Sequence, residues 1–408
     1  MKRRLALLTL LFVCMASLVL MPTMAQQDNN AVGPRGESDK FLRMGKSAIP
    51  FSYIVVLDTD MDVANRDADF ATRSAFELSA NYGGVITNIY DQALNGYSAQ
   101  MSEDQAMKLS QDPRVKFVEE DSIMEANVTQ SNPPSWGLDR IDQANLPLSN
   151  SYSYTTTGSG VNVYIIDTGI RRTHTQFGGR AFVGFDAIGD GQNTNDCNGH
   201  GTHVAGTVGG STTGVAKAVR LFAVRVLNCS GSGSNSGVIA GVNWVTSNRI
   251  LPAVANMSLG GGVSTALDTA VRNSIASGVT YAIAAGNSNT NASNSSPARV
   301  SEAITVGSST RTDARSSFSN FGSVVDIFAP GSSIVSAWFS SDTAGATLSG
   351  TSMASPHVAG VAARVLQGNP GASPATVRNS IVNAAGLNKL SGIPAGTANR
   401  LLFWSPSN

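Results

Sequence analysis

Between residues 161 and 328 the chain carries short, nearly unbroken apolar runs at 161–166, 219–227, 253–259, 279–285, 303–307 and 324–328. No other feature limits the fold so tightly. A strand with one wet face alternates apolar and polar residues, whereas a run apolar throughout must be covered on both faces, as in a parallel sheet. Segments with helical spacing alternate with these runs, at 236–247, Thr265–Ala276 and 353–366. Ser373-Pro374 then supplies an N-cap and a first-turn proline for one more helix. Strand–helix alternation of this kind predicts a doubly wound, mostly parallel α/β sheet with right-handed crossovers over 127–408.

The preceding stretch reads differently. Residues 26–50 are polar and aperiodic and are expected to form a flexible leader. From residue 51 the pattern tightens into a β-branched run at 53–57, helical spacing at 69–81, paired strand patterns at 84–90 and 96–101, and a last strand at 115–124. Ser102-Glu103-Asp104-Gln105 has the form of a capping box and opens a short helix through Leu109. The order βαββαβ predicts a small α+β, ferredoxin-like domain over 51–126 with its helices on one sheet face. It holds neither His nor Cys, so the chemistry is sought elsewhere.

Residues 1–25 have the pattern of a signal peptide rather than a retained anchor. Met1-Lys2-Arg3-Arg4 is a positive start, 5–20 is apolar, and Thr23-Met24-Ala25 offers small residues for cleavage. Of the three cysteines, Cys14 leaves with the signal. Cys197 and Cys229 then either bridge or stay as buried thiols; export to an oxidising compartment favours a bridge worth about 3–4 kcal/mol in the chain-entropy model.

Charged residues make up only 14% of the chain, and they are unevenly spread: 12 basic against 17 acidic through Ala126, then 16 against 11. An acidic front and a basic body are expected to attract each other. Neither has the Lys/Arg stripe of a nucleic-acid binder. No apolar stretch beyond residue 25 approaches spanning length.

Three side chains fall where a doubly wound sheet puts catalysis, at strand ends and helix starts. Asp167 ends the first apolar run, and a carboxylate there is costly unless it accepts hydrogen bonds or meets a cation. His200 lies in Asn198-Gly199-His200-Gly201-Thr202-His203, a Gly-rich turn running into a helix of small residues. Ser352 lies in Ser349-Gly350-Thr351-Ser352-Met353-Ala354-Ser355-Pro356-His357. Pro356 suits a first helical turn, which places Ser352 at a helix N-terminus that favours a developing anion. Singly, each has a plainer role, as a turn cap, a core histidine or an N-cap. Together, in glycine-rich settings of one domain, they point to nucleophilic catalysis. A metal pair at His200 and His203 lacks the intervening Glu of a zinc helix. The lipase order fails as well, since only His357 follows Ser352 and it follows too closely. His203 and His357 are expected to pack or hydrogen-bond structurally, and His174 to lie at the surface.

The order Asp…His…Ser within these segments, with Trp136-Gly137-Leu138-Asp139-Arg140-Ile141-Asp142-Gln143 upstream, resembles the subtilisin-like serine peptidases. The likeness runs over about 135–408 and is greatest to the proteinase K branch and its aqualysin-type secreted enzymes; 51–126 resembles the family's inhibitory propeptide. The resemblance implies that Ser352 is the nucleophile, His200 the base and then the acid, and Asp167 the group that orients the imidazole. It implies that Asn287, in Ala284-Ala285-Gly286-Asn287, donates to the oxyanion beside the Ser352 N–H. An extended peptide would lie between Ser232-Gly233 and Ser258-Leu259-Gly260. Gly260 and Gly261 with Ala284, Ala285 and Gly286 would line a roomy, uncharged S1 pocket, giving broad specificity with apolar or aromatic P1 residues.

Structural Ca2+ is also implied by the resemblance. One site would use Asp326 with carbonyls at Ser301 and Ala303, a second Asp139, Asp142, Gln143, Ser149 and Ser151, and a weaker third Asp190 and Asp196. Many relatives carry a second disulfide, whose positions match Ser293 and Val324 here. The implied partners are polypeptide substrates and the chain's own propeptide, an intramolecular inhibitor cut off near 125–129. The product would be a secreted monomer with no membrane contact after processing.

Overall fold

The structure, a computed structural model, describes residues 40–44, 48–58, 69–122, 128–406 and 408. The signal segment, most of the leader, and residues 125–127 of the expected cleavage stretch lie outside the described residues. The chain divides into two compact units, through Met124 and from Glu125 onward.

In the first unit the strand order is Phe41–Leu42, Val115–Ser122, Ala48–Leu57, Gly96–Gln100, Val85–Tyr90. Without the two-residue edge strand this is the antiparallel ferredoxin-like arrangement. Helices Phe70–Tyr82 and Glu103–Ser110 bury Ala71, Ala75, Leu78, Ala106 and Leu109 against Val55, Leu57, Tyr97 and Val118. The capping box forms as expected: Ser102 Oγ accepts from the Gln105 N–H and Gln105 Oε1 from the Ser102 N–H. Part of the expected leader is ordered. Phe41 is buried against Tyr53 and pairs with Val118, and the long strand already begins at Ala48, because an apolar ring at the sheet edge outweighs the polar composition around it.

In the second unit seven parallel strands line up as Ile327–Pro330, Ile304–Ser309, Val279–Ala284, Ala253–Met257, Asn162–Asp167, Arg220–Arg225 and Ala181–Asp186. Arg400–Leu401 and Gly386–Leu387 extend the first edge. Side-chain alternation splits each buried strand between two cores. Val163 and Ile165 face helices His200–Gly209 and Thr351–Gly368, while Tyr164 and Ile166 face Asn235–Asn248 and Thr265–Ala276. Burying each such Val or Ile is worth about 1.5–3 kcal/mol, so both faces must be covered.

After Arg220–Arg225 the chain crosses to the other side of Asn162–Asp167. That crossing makes a topological switch point between this strand and Ala253–Met257, and a doubly wound sheet opens its crevice outside the carboxyl ends of such strands. Ala181–Asp186 escapes sequence reading because it is a half-buried edge strand without a continuous apolar run. Among the described residues no helix is long and apolar enough to cross a membrane.

Candidate active site

Asp167 closes its strand at the switch point and is fully buried. Its carboxylate accepts from the Thr168 N–H and from His200 Nδ1, each at 2.8 Å. His200 is the first residue of its helix and remains partly exposed. Burial pulls the imidazole pKa down, but the charge and hydrogen bond of Asp167 and the charge of Asp196 outweigh it, so the pKa is raised. With Nδ1 donating to Asp167, Nε2 carries the lone pair that can accept a proton. The preceding Gly199 has φ +110°, and a Cβ there would lie 2.5 Å from Trp338, so glycine alone fits.

Asp196 holds this turn. Its carboxylate accepts from the N–H groups of Asn198, Gly199 and Thr202 and from the hydroxyls of Thr168 and Thr202, at 2.6–2.9 Å. It caps the His200 helix, which corrects its assignment as a weak calcium ligand.

Ser352 is the second residue of helix Thr351–Gly368, where the first N–H groups have no partner within the helix. Pro356 lies in the second turn rather than the first, and its missing N–H deprives the Ser352 carbonyl of its helical partner. Ser258 Oγ donates to that carbonyl at 2.8 Å, and Ser352 Oγ donates to the Ser258 carbonyl at 3.2 Å. Buried Asn256 steadies the pair, donating to Ser258 Oγ at 2.9 Å and accepting from Ser355 Oγ at 2.8 Å. The Ser352 hydroxyl therefore rests on the Ser258 carbonyl and not on His200; hydrogen bonds of this kind are often long or unmade without substrate.

Asn287 follows the Val279–Ala284 strand. Its Oδ1 accepts from the Thr351 N–H at 2.8 Å and the Thr351 hydroxyl at 2.9 Å, which leaves the Nδ2 donors without a protein acceptor. Gly286, at φ +100°, could carry no side chain, because a Cβ would sit 2.4 Å from Asn320 Nδ2.

Two cavities adjoin Ser352 and His200. One, of about 350 Å³, is lined by Leu259–Gly262, Ala284–Ser288, Ala298, Thr351 and Ser352 among others, with no charged side chain. The other, of about 550 Å³, runs past His200, Leu227, Ser232, Gly233, Val238, Ser258, Leu259 and Gly260. All nine expected substrate-cleft residues thus line one or both cavities.

Cys197 and Cys229 form a disulfide that ties the turn before His200 to the segment carrying Ser232 and Gly233. Beside it, fully buried Arg225 holds Asp190 through two hydrogen bonds of 2.6 and 2.7 Å. Asp190 is therefore an arginine partner, and the nearby sulfurs are committed to each other, so the weaker calcium site is withdrawn.

His203 and His357 are buried, each with its pKa pulled down to about 4 by burial, and each bonds backbone carbonyls. His174 departs from expectation: it is 3% exposed, bonds the Ala344 carbonyl at 2.8 Å and accepts from the Gln176 N–H. Ring contact with Phe177 draws it inward.

The two stronger calcium expectations diverge. Around Asp139, Asp142, Gln143, Ser149 and Ser151 the donors are all oxygens. Asp139 accepts from Ser149 N–H and Oγ and from Asn150 N–H, and Ser149 and Ser151 hydroxyls meet at 2.8 Å. Buried Asp142 Oδ1 has no partner at all, a gap that an oxygen-seeking cation fits. Asp326 does not fit. Its Oδ2 accepts from the Thr305 N–H at 2.8 Å and its Oδ1 is taken by the Arg378 guanidinium, so the site expected with Ser301 and Ala303 already has its cation.

Sequence reasoning singled out Asp167, His200 and Ser352 but not the residues that hold their segments, Thr168, Asn256, Thr351 and Arg225, each of which acts across a long sequence separation. A family model for subtilases matches residues 158–400, and one for the peptidase inhibitor I9 family matches 52–127. Alkaline serine exoprotease A of Vibrio alginolyticus is 51% identical over 365 residues, 87% of this chain and 68% of that protein. The extracellular serine proteinase of Thermus sp. (strain Rt41A) is 51% identical over 371 residues, 87% of this chain and 90% of that protein. A cold adapted subtilisin-like serine proteinase of known crystal structure matches at TM-score 0.64 and 58% identity, covering 66% of this chain and 97% of that one. Family match, sheet order and the segments gathered at the switch point agree: this chain is a serine endopeptidase of the subtilase family, preceded by an I9 inhibitor segment.

Proposed function

We propose that the chain is a secreted, monomeric, self-processing endopeptidase that cuts polypeptides through an acyl-enzyme on Ser352. The observation that carries this reading is the 2.8 Å bond from His200 Nδ1 to buried Asp167, with His200 lining one cavity and helix-start Ser352 another that shares Leu259, Gly260 and Gly261 with it. An extended substrate adds as a strand against Ser232-Gly233 and Ser258–Gly260. A substrate N–H donating to the Ser258 carbonyl competes with the hydroxyl now resting there and frees Ser352 Oγ to turn toward His200.

His200 Nε2 takes the hydroxyl proton as Oγ bonds the scissile carbon, and Asp167 stabilises the imidazolium. The carbonyl oxygen becomes an anion held by Asn287 Nδ2 and the Ser352 N–H. The C–N bond breaks as His200 returns the proton to the leaving amine, and water attacks the ester by the same route. The uncharged 350 Å³ cavity supports a preference for apolar or aromatic P1 residues.

The I9 segment acts as inhibitor and folding template until the chain cuts itself near 125–129, after Ala126 in the simplest case. Calcium at Asp139, Asp142, Gln143, Ser149 and Ser151 would cross-brace the loop and supply no chemistry to the reaction.

Ser352→Ala is the decisive test. It is expected to lower kcat on a peptide substrate by about six orders of magnitude, a loss known from a related subtilisin rather than calculated for this chain. It should also leave an unprocessed precursor of full length. Normal processing in that variant would overturn self-cleavage, and casein hydrolysis that survives it would overturn the nucleophile.

A further inference from the structure

We propose that Arg378, assisted by Arg400, is a built-in cation that takes the place of a metal ion at Asp326. The inference rests on the family reading above only in so far as that reading implies calcium at this carboxylate.

Asp326 immediately precedes the Ile327–Pro330 strand, and its side chain is 11% exposed. Its main chain and side chain both engage Thr305: the Asp326 N–H donates to the Thr305 carbonyl at 3.0 Å, and the Thr305 N–H donates to Oδ2 at 2.8 Å. Thr305 Oγ1 in turn reaches the Ala298 carbonyl at 2.7 Å, tying the turn that carries Ser301 and Ala303 to the same point. A buried carboxylate locked this way needs a positive partner.

Helix Pro374–Ala384 delivers one, since Arg378 projects from it onto Oδ1. Arg400, on the neighbouring Arg400–Leu401 strand, adds a second positive charge acting on the same carboxylate, and among the described residues it makes no ion pair of its own. The acid nearest the expected carbonyl ligands offers no relief, because Glu302 pairs with Arg272 and accepts from Ser301 Oγ. Two guanidinium charges against one carboxylate leave a positive local sum. A divalent cation would have to displace Arg378 and then sit beside Arg400, so the site is expected to reject it. A guanidinium also cannot be lost by dilution or chelation, which makes this brace permanent where a metal brace is conditional.

The test compares the secreted enzyme with Asp326→Asn and Arg378→Met variants, reading bound Ca2+ per chain by equilibrium dialysis and Tm with and without millimolar CaCl2. Wild type and Asp326→Asn are expected to bind the same number of ions. Arg378→Met is expected to bind one more and to regain with calcium the Tm it loses without it. A lower calcium count in Asp326→Asn than in wild type would overturn the proposal, as would an Arg378→Met protein whose Tm ignores calcium. If Arg378→Met does not accumulate, the Asp326→Asn count decides alone, and a double Asp326→Asn/Arg378→Met variant, which buries no unpaired charge, supplies the Tm comparison. A wild type that binds no calcium removes the loop site at 139–151 without touching this comparison, and peptide hydrolysis reports separately on the catalytic reading.

Discussion

Asp167 and Asp326 are both buried carboxylates on the same parallel sheet, one at the carboxyl end of a strand and the other just before the amino end of another. Asp167 is matched with an imidazole, whose charge comes and goes near neutral pH; Asp326 is matched with guanidinium groups, whose charge does not. Burial makes each carboxylate demand a partner, and the partner's titration decides what the pair does. Paired with a switchable base, the carboxylate can drive proton transfer; paired with a permanent cation, it can only hold the fold.

Exchanging charge at the two ends is the sharpest way to break this contrast. Asp167→Asn is expected to lower kcat by about 10⁴-fold by removing the tautomer control on His200. Asp326→Asn is expected to leave kcat within about twofold, because it lies outside the reacting groups. Comparable losses in steady-state kinetics would erase the distinction. Asn287→Ala, which removes a neutral donor at the catalytic end, should cost about 10²–10³-fold in kcat with KM little changed; this magnitude too comes from a related subtilisin.

On the structural side, Asp313→Ala strips a 1% exposed Arg140 of its carboxylate and should destabilise by about 3–5 kcal/mol in urea unfolding while sparing kcat per folded molecule.

The pH dependence sharpens the contrast further. His200 is raised above its ordinary value of 6.5, so kcat/KM should fall on the acid side through a pKa higher than that. The His200–Asp167 attraction contributes stability that is fully present below the unfolded-state pKa and is lost as pH rises through the folded one, opposite in sense to activity. Removal of calcium from the 139–151 loop is expected to have the smallest effect, lowering Tm by roughly a few degrees; an unchanged Tm in excess chelator would count against that loop as a metal site.

The positions of Asp167, His200 and Ser352 in the fold were legible because each sits in a local pattern: a strand end, a Gly-rich turn, and a small-residue helix start. The parallel sheet was legible because its strands are apolar on both faces. What was hidden is non-local. Asp196 looks like an isolated surface acid until Thr168, 28 residues away, closes on it and turns it inward over the nearby N–H groups of Asn198, Gly199 and Thr202. Arg378 lies 52 residues from the carboxylate it neutralises, and no periodicity links them. His174 was misread because a single polar residue in a loop carries no sign of burial. The strand at Ala181–Asp186 was missed because an edge position demands no continuous apolar run.

Pro356 has a consequence for how this protein can change over generations. By withholding one amide hydrogen it leaves a carbonyl in need, and a serine just past the end of a distant strand answers that need. Residues 258 and 356 are thereby bound into a single heritable unit. Restoring an ordinary residue at 356 would return the carbonyl to its own helix and make the Ser258 hydroxyl dispensable. Loss of the Ser258 hydroxyl should therefore be tolerated far better once Pro356 has been replaced than before, and the two single substitutions should fail to add.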